Sequence, residues 1–169
     1  MNKVYLRALE PKDVDNIYTW ENDVEQWSVG VNNRFISKYD IENYILTAQM
    51  QDAFASQQIR FIIDVKEKTL SVGCVDIFDI DAKNLRASVG IYITPNYRKQ
   101  GYALEALALI ENYAKQILCF NQLYALVGQN NINSIKLFEK AGYFLVATLP
   151  QWLRRDNCFE NVAVYQKIL

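Results

Sequence analysis

The sequence predicts a single domain of the α+β class, in which a mixed, mostly antiparallel sheet is flanked by about four helices. Three observations lead to this prediction. The 169 residues, 51% hydrophobic and 22% charged, fit one globular domain spanning 1–169. Alternating and helical apolar patterns follow one another in the order β-α-α-β-β-β-α-β-α-β-β. Two strand–helix–strand connections occur among hairpins, so both parallel and antiparallel strand pairs are expected.

The first half of the chain supplies one strand, two helices and a hairpin. Apolar alternation predicts a strand at 4–7, with a helix after it. Ser37, followed three residues later by Asp40, has the pattern of a capping box at the start of the second helix. The alternating segments 60–65 and 70–78 are joined by a polar turn, which predicts a β-hairpin.

The second half continues with a strand, a long amphipathic helix, a strand, a helix and two closing strands. These elements are expected at 88–94, from Tyr102 over about 18 residues, at 122–127, at 133–141, at 143–148 and at 158–168. Gly142 is placed to end the second of these helices. The basic segment 152–156 is expected to be a loop between the closing strands.

The composition excludes several classes of chemistry. The chain has no histidine, which excludes Ser-His-Asp and Cys-His machinery, HExxH zinc sites and an imidazole base; no metal is predicted. A net charge of −1 argues against a dedicated nucleic-acid binder, and no apolar run approaches the length of a membrane span. The absence of a signal-peptide pattern and of a CxxC pair indicates free thiols in the cytoplasm, with Cys119 and Cys158 expected in the core.

The loop before the long helix has the features of a phosphate-binding seat. The first turn of a helix offers free N–H groups and a partial positive charge to an anion. Gly101 allows the backbone to approach a ligand, Ala103 is small, and Arg98 and Lys99 add positive charge. Neither a Walker A loop nor a GxGxxG motif is present. By itself, this pattern is more often an ordinary glycine turn between a strand and a helix.

A second motif further along the chain changes that interpretation. The segment 131–143 reads N-x-x-S-I-x-L-F-E-K-x-G-Y, which alone would be a capped helix ended by a glycine. Together with R-x-x-G-x-A at 98–103, it resembles the GNAT acetyltransferase superfamily, and the resemblance covers nearly the whole chain. The opening segment, the hairpin and the closing strands are similar to the ribosomal-protein and polyamine acetyltransferase branch. Within it, the chain is most similar to bacterial spermidine/spermine N-acetyltransferases.

The resemblance implies a sheet whose central strand pair splays apart to receive acetyl-coenzyme A as cosubstrate. In the family, the N–H groups of 98–103 hold the pyrophosphate, the backbone of 91–93 pairs with the pantetheine arm, and Asn131 hydrogen-bonds to the arm. A backbone N–H near Tyr92 or Ile93 would stabilise the developing oxyanion as a free amine attacks the thioester directly. The cofactor-binding residues implied in this way are Ile91, Tyr92, Ile93, Arg98, Lys99, Gln100, Gly101, Tyr102, Ala103, Asn131, Ser134 and Phe138.

Two positions depart from the family pattern. Phe138 stands where the family often has a Tyr that protonates the leaving sulfur, and Ser88 stands where it often has a Glu that relays the proton of the amine. Asp76 and Asp79 therefore become the candidate catalytic and substrate-binding acids, which would bind an ammonium group or relay its proton. Both are equally open to interpretation as solvated acids on an edge strand.

Glu21 is a further candidate for binding the substrate, in the acidic segment 21–25. This segment either forms an acidic mouth that attracts a cationic amine or is a solvated loop face, and the second interpretation is favoured. The neighbouring Trp20 and Trp27 either wall an aliphatic amine or close the core, with the core favoured.

The sequence as a whole predicts a cytoplasmic enzyme that moves an acetyl group to a small-molecule primary amine, with polyamines as the leading substrate class. Two alternatives stay open. One is acetylation of the N-terminal amine of a ribosomal or other protein. The other is a catalytically silent coenzyme A-binding module, which the departures at Ser88 and Phe138 motivate. No nucleic-acid or membrane partner is expected, and the resemblance allows a homo-oligomer.

Overall fold

Within the described residues, seven strands form one sheet in the computed structural model. The description covers residues 3–24, 34–50, 52–68, 70–155 and 157–169. The strands are β1 (Val4–Ala8), β2 (Gln58–Val65), β3 (Leu70–Asp81), β4 (Arg86–Ile93), β5 (Gln122–Gly128), β6 (Phe144–Arg155) and β7 (Cys158–Ile168). Their order in the sheet is β1-β2-β3-β4-β5-β7-β6, and β4 with β5 is the parallel pair. The mixed, mostly antiparallel sheet expected from the sequence is thereby confirmed.

Five α-helices lie in the described part of the chain. They are α1 (Val14–Glu21), α2 (Lys38–Met50), α3 (Ala53–Ser56), α4 (Tyr102–Gln116) and α5 (Ile132–Lys140). The predicted capping box starts α2, because the N–H of Asp40 donates to Ser37 Oγ at 3.1 Å. The short α3 was not expected; Asp52 starts it by accepting from the N–H groups of Phe54 and Ala55. No helix in these ranges is long and apolar enough to cross a bilayer.

One face of the sheet is covered by α4 and α5. Ala106, Leu107 and Ile110 of α4 are buried in one apolar cluster with Val75 of β3 and Val89 of β4. Burying these side chains supplies the main apolar driving force for packing the long helix. This packing fixes the start of α4 beside the end of β4, where the predicted seat lies.

The other face is covered by α1 and α2. Ile17 of α1 and Ile45 of α2 form a second apolar cluster with Ile62 of β2 and Cys74 of β3. Trp20 belongs to this cluster, which confirms its predicted core position. Trp27 lies outside the described residues. Because side chains alternate along a strand, β2, β3 and β4 serve both clusters at once.

The prediction of a basic loop at 152–156 between the closing strands is wrong, because β6 continues to Arg155. A register shift between Leu149 and Leu153 contains the irregular part of the strand, and Gln151 has a left-handed φ of 53° there. The N–H of Gln151 donates to Asn161 Oδ1 on β7 at 2.8 Å. The bulge therefore lets β6 continue past Pro150 and pair with β7 again from Leu153. Local composition alone suggests a loop there.

The core positions expected for Cys119 and Cys158 are also wrong, since both residues are exposed. Cys119 lies in the turn between α4 and β5, and Cys158 is the first residue of β7. Cys74 is the buried cysteine, and burial raises the pKa of its thiol to about 12. All three cysteines are free thiols.

Candidate active site

The parallel pair of β4 and β5 is hydrogen-bonded over a short stretch. The register runs from Arg86–Gln122 to Ser88–Tyr124. On its other edge, β4 stays paired with β3 as far as Ile93. Beyond Ser88, the backbone groups of β4 that point toward β5 have no strand partner within the described ranges, because the two strands diverge. We call this gap the slot; it is the splayed strand pair expected from the sequence.

The side chains at the open end of β4 point away from the slot, to the two faces of the sheet. Ile93 is buried in the α4 cluster and Ile91 packs against it, whereas Tyr92 packs against the α1–α2 cluster. The ring of Tyr92 lies 5.9 Å from that of Trp20. At Ile91 and Ile93 it is therefore the backbone that faces the slot, which suits the pairing expected with an extended ligand, whereas the carbonyl of Tyr92 faces β3.

Gly73 of β3 allows an unusually close backbone approach beside the slot. A Cβ at this position would lie 2.0 Å from the carbonyl oxygen of Tyr92 and 3.0 Å from the Cα of Ile93. The sequence reasoning did not select Gly73. A glycine inside a strand pattern is the signal that could have found it, because such a residue often marks close approach of another backbone.

The predicted seat lies at the N-terminus of α4. Gly101 occupies the N-cap position with a left-handed φ of 87°, and a Cβ built on it would meet nothing within 4 Å. The first N–H groups of an α-helix lack intrahelical acceptors, so those at Tyr102 and Ala103 open onto this space. Lys99 and Gln100 are exposed beside it, whereas the Tyr102 side chain is buried in the core. The seat is open and suited to an anion.

Arg98 ties the seat to the end of β4. Its Nε donates to the carbonyl oxygen of Ile93 at 2.8 Å, and its guanidinium carbon lies 5.9 Å from the centre of the Tyr92 ring. The side chain thus bridges from the loop back to the strand. Its positive charge stays next to both the slot and the seat.

On the far side of the slot, the expected cofactor residues of α5 have structural partners. Asn131 is the N-cap of α5, and its Oδ1 accepts from the N–H of Ser134 at 3.1 Å. Phe138 is buried, with its ring 5.1 Å from that of Tyr143 in an edge-to-face arrangement. The capping and packing interpretations of these residues therefore hold in the structure, whatever further contacts they make to a ligand.

Glu160 of β7 fixes the loop that leads into α5. Its Oε1 accepts from the N–H of Asn130 at 2.6 Å, and its Oε2 accepts from Arg155 Nε at 3.0 Å. The bond from the Asn130 N–H and the charge of Arg155 hold the pKa of Glu160 below its usual range. Sequence reasoning missed Glu160, because its partner is a backbone group 30 residues away.

The structure brings Glu21 and Asp76 together through a residue that the sequence analysis did not select. Arg60 donates to both oxygens of Asp76, at 2.7 and 2.9 Å, and to Glu21 Oε1 at 2.5 Å. We call these three side chains the Arg60 triad. Burial alone would lower the pKa of Arg60, but the charge and hydrogen bonds of Asp76, together with the smaller effect of the charge of Glu21, outweigh it and raise that pKa. Arg60 and Asp76 carry opposite charges on the two strands of the predicted hairpin, and this was the signal in the sequence that could have found the ion pair.

Asp79 stands apart from the triad. It is exposed and has a left-handed φ of 51°, at a register shift between Phe78 and Asp81. Burial, followed by the negative charge of Asp79, raises the pKa of Tyr124 at the closed end of the slot. Because β3 lies between β2 and β4, the edge-strand interpretation of these acids does not apply. Glu25 of the acidic segment lies outside the described residues.

Ser88 marks the closed end of the slot. The residue is 1% exposed, and its Oγ has no hydrogen-bond partner within the described part of the chain. By the alternation of β4, it shares the α1–α2 face with Gly90 and Tyr92. A buried hydroxyl without a partner is uncommon, and it is available here to a water or a ligand.

Comparison with known proteins gives one consistent result. A family model described as the acetyltransferase (GNAT) domain matches residues 3–143. The N-acetyltransferase YoaA of Bacillus subtilis (strain 168), itself uncharacterized, is 23% identical over 167 residues, which cover 97% of this chain and 92% of that protein.

Solved structures agree in fold. The spermidine N-acetyltransferase of Vibrio cholerae, in complex with coenzyme A and spermine, gives a TM-score of 0.88 at 20% identity, covering 98% of this chain and 95% of that one. A dodecameric structure of spermidine N-acetyltransferase from the same organism gives 0.83 at 19% identity, covering 98% and 94%. At these identities the likeness establishes a shared fold.

Proposed function

Because the chain belongs to the GNAT acetyltransferase family, and is therefore an acetyltransferase, we propose that it transfers the acetyl group of acetyl-coenzyme A directly to a primary amine, with polyamines as the leading acceptor class. One observation carries the proposal: the β4–β5 ladder stops at Ser88–Tyr124, and the open backbone of β4 leads to the seat at Gly101. A strand edge and a helix N-terminus in series suit an extended arm that ends in phosphates.

The residues present fit this cosubstrate. The space at Gly101 admits a phosphate close to the N–H groups of Tyr102 and Ala103, with Lys99 and Gln100 beside it. The backbone of 91–93 would hold the arm. Ser134 and Asn131, at the start of α5, would line the opposite wall of the slot. When bound, acetyl-coenzyme A supplies the acetyl thioester.

The chain then has three tasks in the reaction: to stabilise the oxyanion, to position the reactants and to remove the proton of the amine. The backbone N–H of Ile93, on the edge of β4 that faces the slot, would hold the oxyanion that develops as the amine nitrogen attacks the carbonyl carbon. The carbonyl of Tyr92 faces Gly73 of β3, so the N–H of Tyr92, expected from the sequence for this role, points away from the slot. The carbon–sulfur bond breaks, and the sulfur leaves as thiolate. Phe138 cannot protonate that sulfur, but a thiol pKa near 8.5 makes thiolate an adequate leaving group. The slot supplies positioning, which lowers the entropic part of the barrier.

The proton of the amine is the harder problem. With a pKa of about 10.4, only about one alkyl amine in 2,500 is neutral at pH 7. Asp76 accepts two hydrogen bonds from Arg60, so its oxygens are less available than those of the exposed Asp79. We therefore assign the proton relay to Asp79 acting through water, near the unpartnered hydroxyl of Ser88.

The relay has a direct test. Asp79→Asn should lower kcat and make it rise more steeply with pH between about 6 and 9, because the reaction then depends on the fraction of amine that is already neutral, while the affinity for coenzyme A stays unchanged. Asp81→Asn, a change of the same charge on the same strand, is the matched control. Identical pH–rate profiles for Asp79→Asn and the wild type would remove Asp79 from the reaction.

The acceptor class rests on two supports. The Vibrio cholerae relative was solved with spermine, and this chain has three acids on α1 and on β3, the strand beside β4: Glu21, Asp76 and Asp79. The experiment is a panel of spermidine, spermine, shorter diamines and N-terminal peptides, with labelled acetyl-coenzyme A and purified enzyme. Transfer to amines and not to peptides supports the proposal, and the reverse result contradicts the acceptor class.

The second candidate is acetylation of a protein N-terminus. One observation favours it: Arg60 neutralises part of the charge that Glu21 and Asp76 would otherwise present to a cation. A less acidic acceptor side suits the neutral chain that follows an N-terminal amine. The peptide arm of the same panel tests this candidate.

Assembly and location are part of the same proposal. The dodecameric Vibrio cholerae relative supports a homo-oligomer for this chain. The three free thiols support a cytoplasmic location. Light scattering of the purified chain tests the first statement, and fractionation of expressing cells tests the second.

A further inference from the structure

The Arg60 triad lies one strand away from the slot. Arg60 of β2 pairs with Asp76 of β3, and Asp76 pairs with Gly90 of β4. Gly90 is two residues beyond Ser88, where the ladder with β5 ends. Adjacent strands are about 4.8 Å apart, so the backbone of Asp76 lies one strand spacing from β4.

The triad lies on the face of the sheet that α1 and α2 cover, opposite the face covered by α4 and α5. Tyr92, two residues beyond Gly90 on β4, packs against the α1–α2 cluster. Strand alternation places Arg60 and Asp76 on that same face. Glu21 reaches Arg60 from the end of α1, and the Arg60 guanidinium carbon lies 5.9 Å from the centre of the Tyr44 ring of α2. This face meets the slot from the side opposite α4.

A second observation points to a polar ligand on this face. The hydroxyl of Ser88, which is buried and has no partner within the described residues, projects to the same side of β4. Gly90 lies between Ser88 and Tyr92 and brings no side chain of its own. A polar group entering here would meet the Ser88 hydroxyl on the face that carries the triad.

The charge of the triad is set by Arg60. Two carboxylates and one guanidinium leave a net charge of −1, on side chains that are 14–20% exposed. Without the guanidinium, the same two carboxylates would present −2 in a partly desolvated position. At such a position a unit change in charge alters the attraction of a cation by more than it would in bulk water.

We propose that Arg60 is a specificity-determining residue of the acceptor side: by holding the charge of the triad at −1 and not −2, it reduces the advantage of a polycation over an amine whose remaining part carries one positive charge. This inference rests on the proposed function. A diamine with one neutral, attacking nitrogen keeps one ammonium group, whereas spermidine keeps two and spermine three. Each additional positive charge gains less from a triad of charge −1 than it would from one of charge −2, so Arg60 sets how strongly the number of charges on the acceptor counts.

The test is a charge series measured on two acceptors. The quantity is kcat/KM for spermine divided by kcat/KM for 1,4-diaminobutane. Arg60→Gln, which takes the triad to −2, should raise this ratio about tenfold. Glu21→Gln, which takes it to zero, should lower the ratio. Arg60→Lys keeps the charge and should stay near the wild-type ratio, as should Asp15→Asn, which removes an exposed carboxylate from α1.

Each result has one meaning. A ratio unchanged within about twofold in both Arg60→Gln and Glu21→Gln, with coenzyme A affinity intact by calorimetry, overturns the inference and leaves the proposed function standing. If Arg60→Gln does not fold, Glu21→Gln carries the test, because the glutamine keeps the size of the side chain and a hydrogen-bonding oxygen. A wild-type enzyme that acetylates no amine contradicts the proposed function itself.

Discussion

The carbonyl oxygen of Tyr92 lies where a side chain on Gly73 would begin: a Cβ at Gly73 would be 2.0 Å from it. Real contacts of this kind are essentially never shorter than 3.0 Å. The approach of β3 to β4 at this level therefore requires glycine. It also determines the path of the β4 backbone that lines the slot.

Gly73→Ala should force β3 and β4 apart. We expect a loss of about 1–3 kcal/mol in the free energy of unfolding, measured by urea denaturation, together with weaker coenzyme A binding. Gly90→Ala is the matched control, because its Cβ would meet an edge atom of the Phe78 ring at 3.2 Å and not a backbone atom. Equal losses for the two variants would contradict the special role of Gly73.

Gly101→Asp should abolish binding to the seat while leaving the fold largely intact. The new carboxylate enters the open space at the start of α4, where it repels a pyrophosphate and competes for the N–H groups. Calorimetry with coenzyme A should show at least a tenfold loss of affinity, or about 1.4 kcal/mol.

The control for this variant is Gly142→Asp. Gly142 has a φ of 85°, so the substitution brings a similar backbone strain of about 1–2 kcal/mol at the end of α5. It should lower the thermal midpoint by a similar amount without affecting coenzyme A affinity. Similar loss of affinity in both variants would mean that strain, and not the seat, explains the effect.

Asp64→Asn should remove an acid-sensitive part of the stability. Asp64 accepts from Arg7 Nε at 2.6 Å and from Ser71 Oγ at 2.7 Å. Burial alone would raise the pKa of Asp64, but these hydrogen bonds hold it below its usual value. A lowered pKa in the folded state stabilises the protein above the unfolded pKa of about 3.9, and that stabilisation is lost as the pH falls through the folded value.

The measurement is the thermal midpoint of the wild type and Asp64→Asn at pH 7 and near pH 3. At pH 7 the wild type should have the higher thermal midpoint. The difference in midpoint between the wild type and Asp64→Asn should become smaller near pH 3. A gap that stays constant between the two pH values would show that Asp64 stabilises the fold by packing and not through its charge.

The cysteines should react in two classes. The exposed Cys119 and Cys158 should react rapidly with a thiol reagent in the native protein. Burial, which raises the pKa of Cys74 to about 12, should leave this thiol unreactive until denaturant is added. Three fast thiols in the native protein would contradict the packing of the α1–α2 face over β3.

Regular elements were predictable from the sequence because their signals are local. The period-two pattern of 60–65 and the capping residues Ser37 and Asp40 depend on neighbours within one turn or one strand. The path of β6 past Gln151 was not predictable, since a bulge is stabilised by a contact with β7 that local composition does not record.

The site was predictable to a smaller extent. Gly101 stands out by its place between strand and helix, and the structure gives it the left-handed conformation that favours glycine. The pairing of Asp76 and Glu21 through Arg60 depends on three elements coming together, 16 and 39 residues apart in the chain. An acid that is paired with an arginine in this way is less available to bind a substrate or relay a proton, and only the folded chain reveals the pairing.

The most direct test of the central claim is the fate of the acetyl group. Purified enzyme is incubated with labelled acetyl-coenzyme A and an amine panel, with the wild type and Gly101→Asp side by side. We predict that label appears on a primary amine, that coenzyme A thiol is released in equal amount, and that Gly101→Asp loses both. Tight coenzyme A binding by the wild type, with no labelled amine or peptide, would contradict the account and identify a silent binding module.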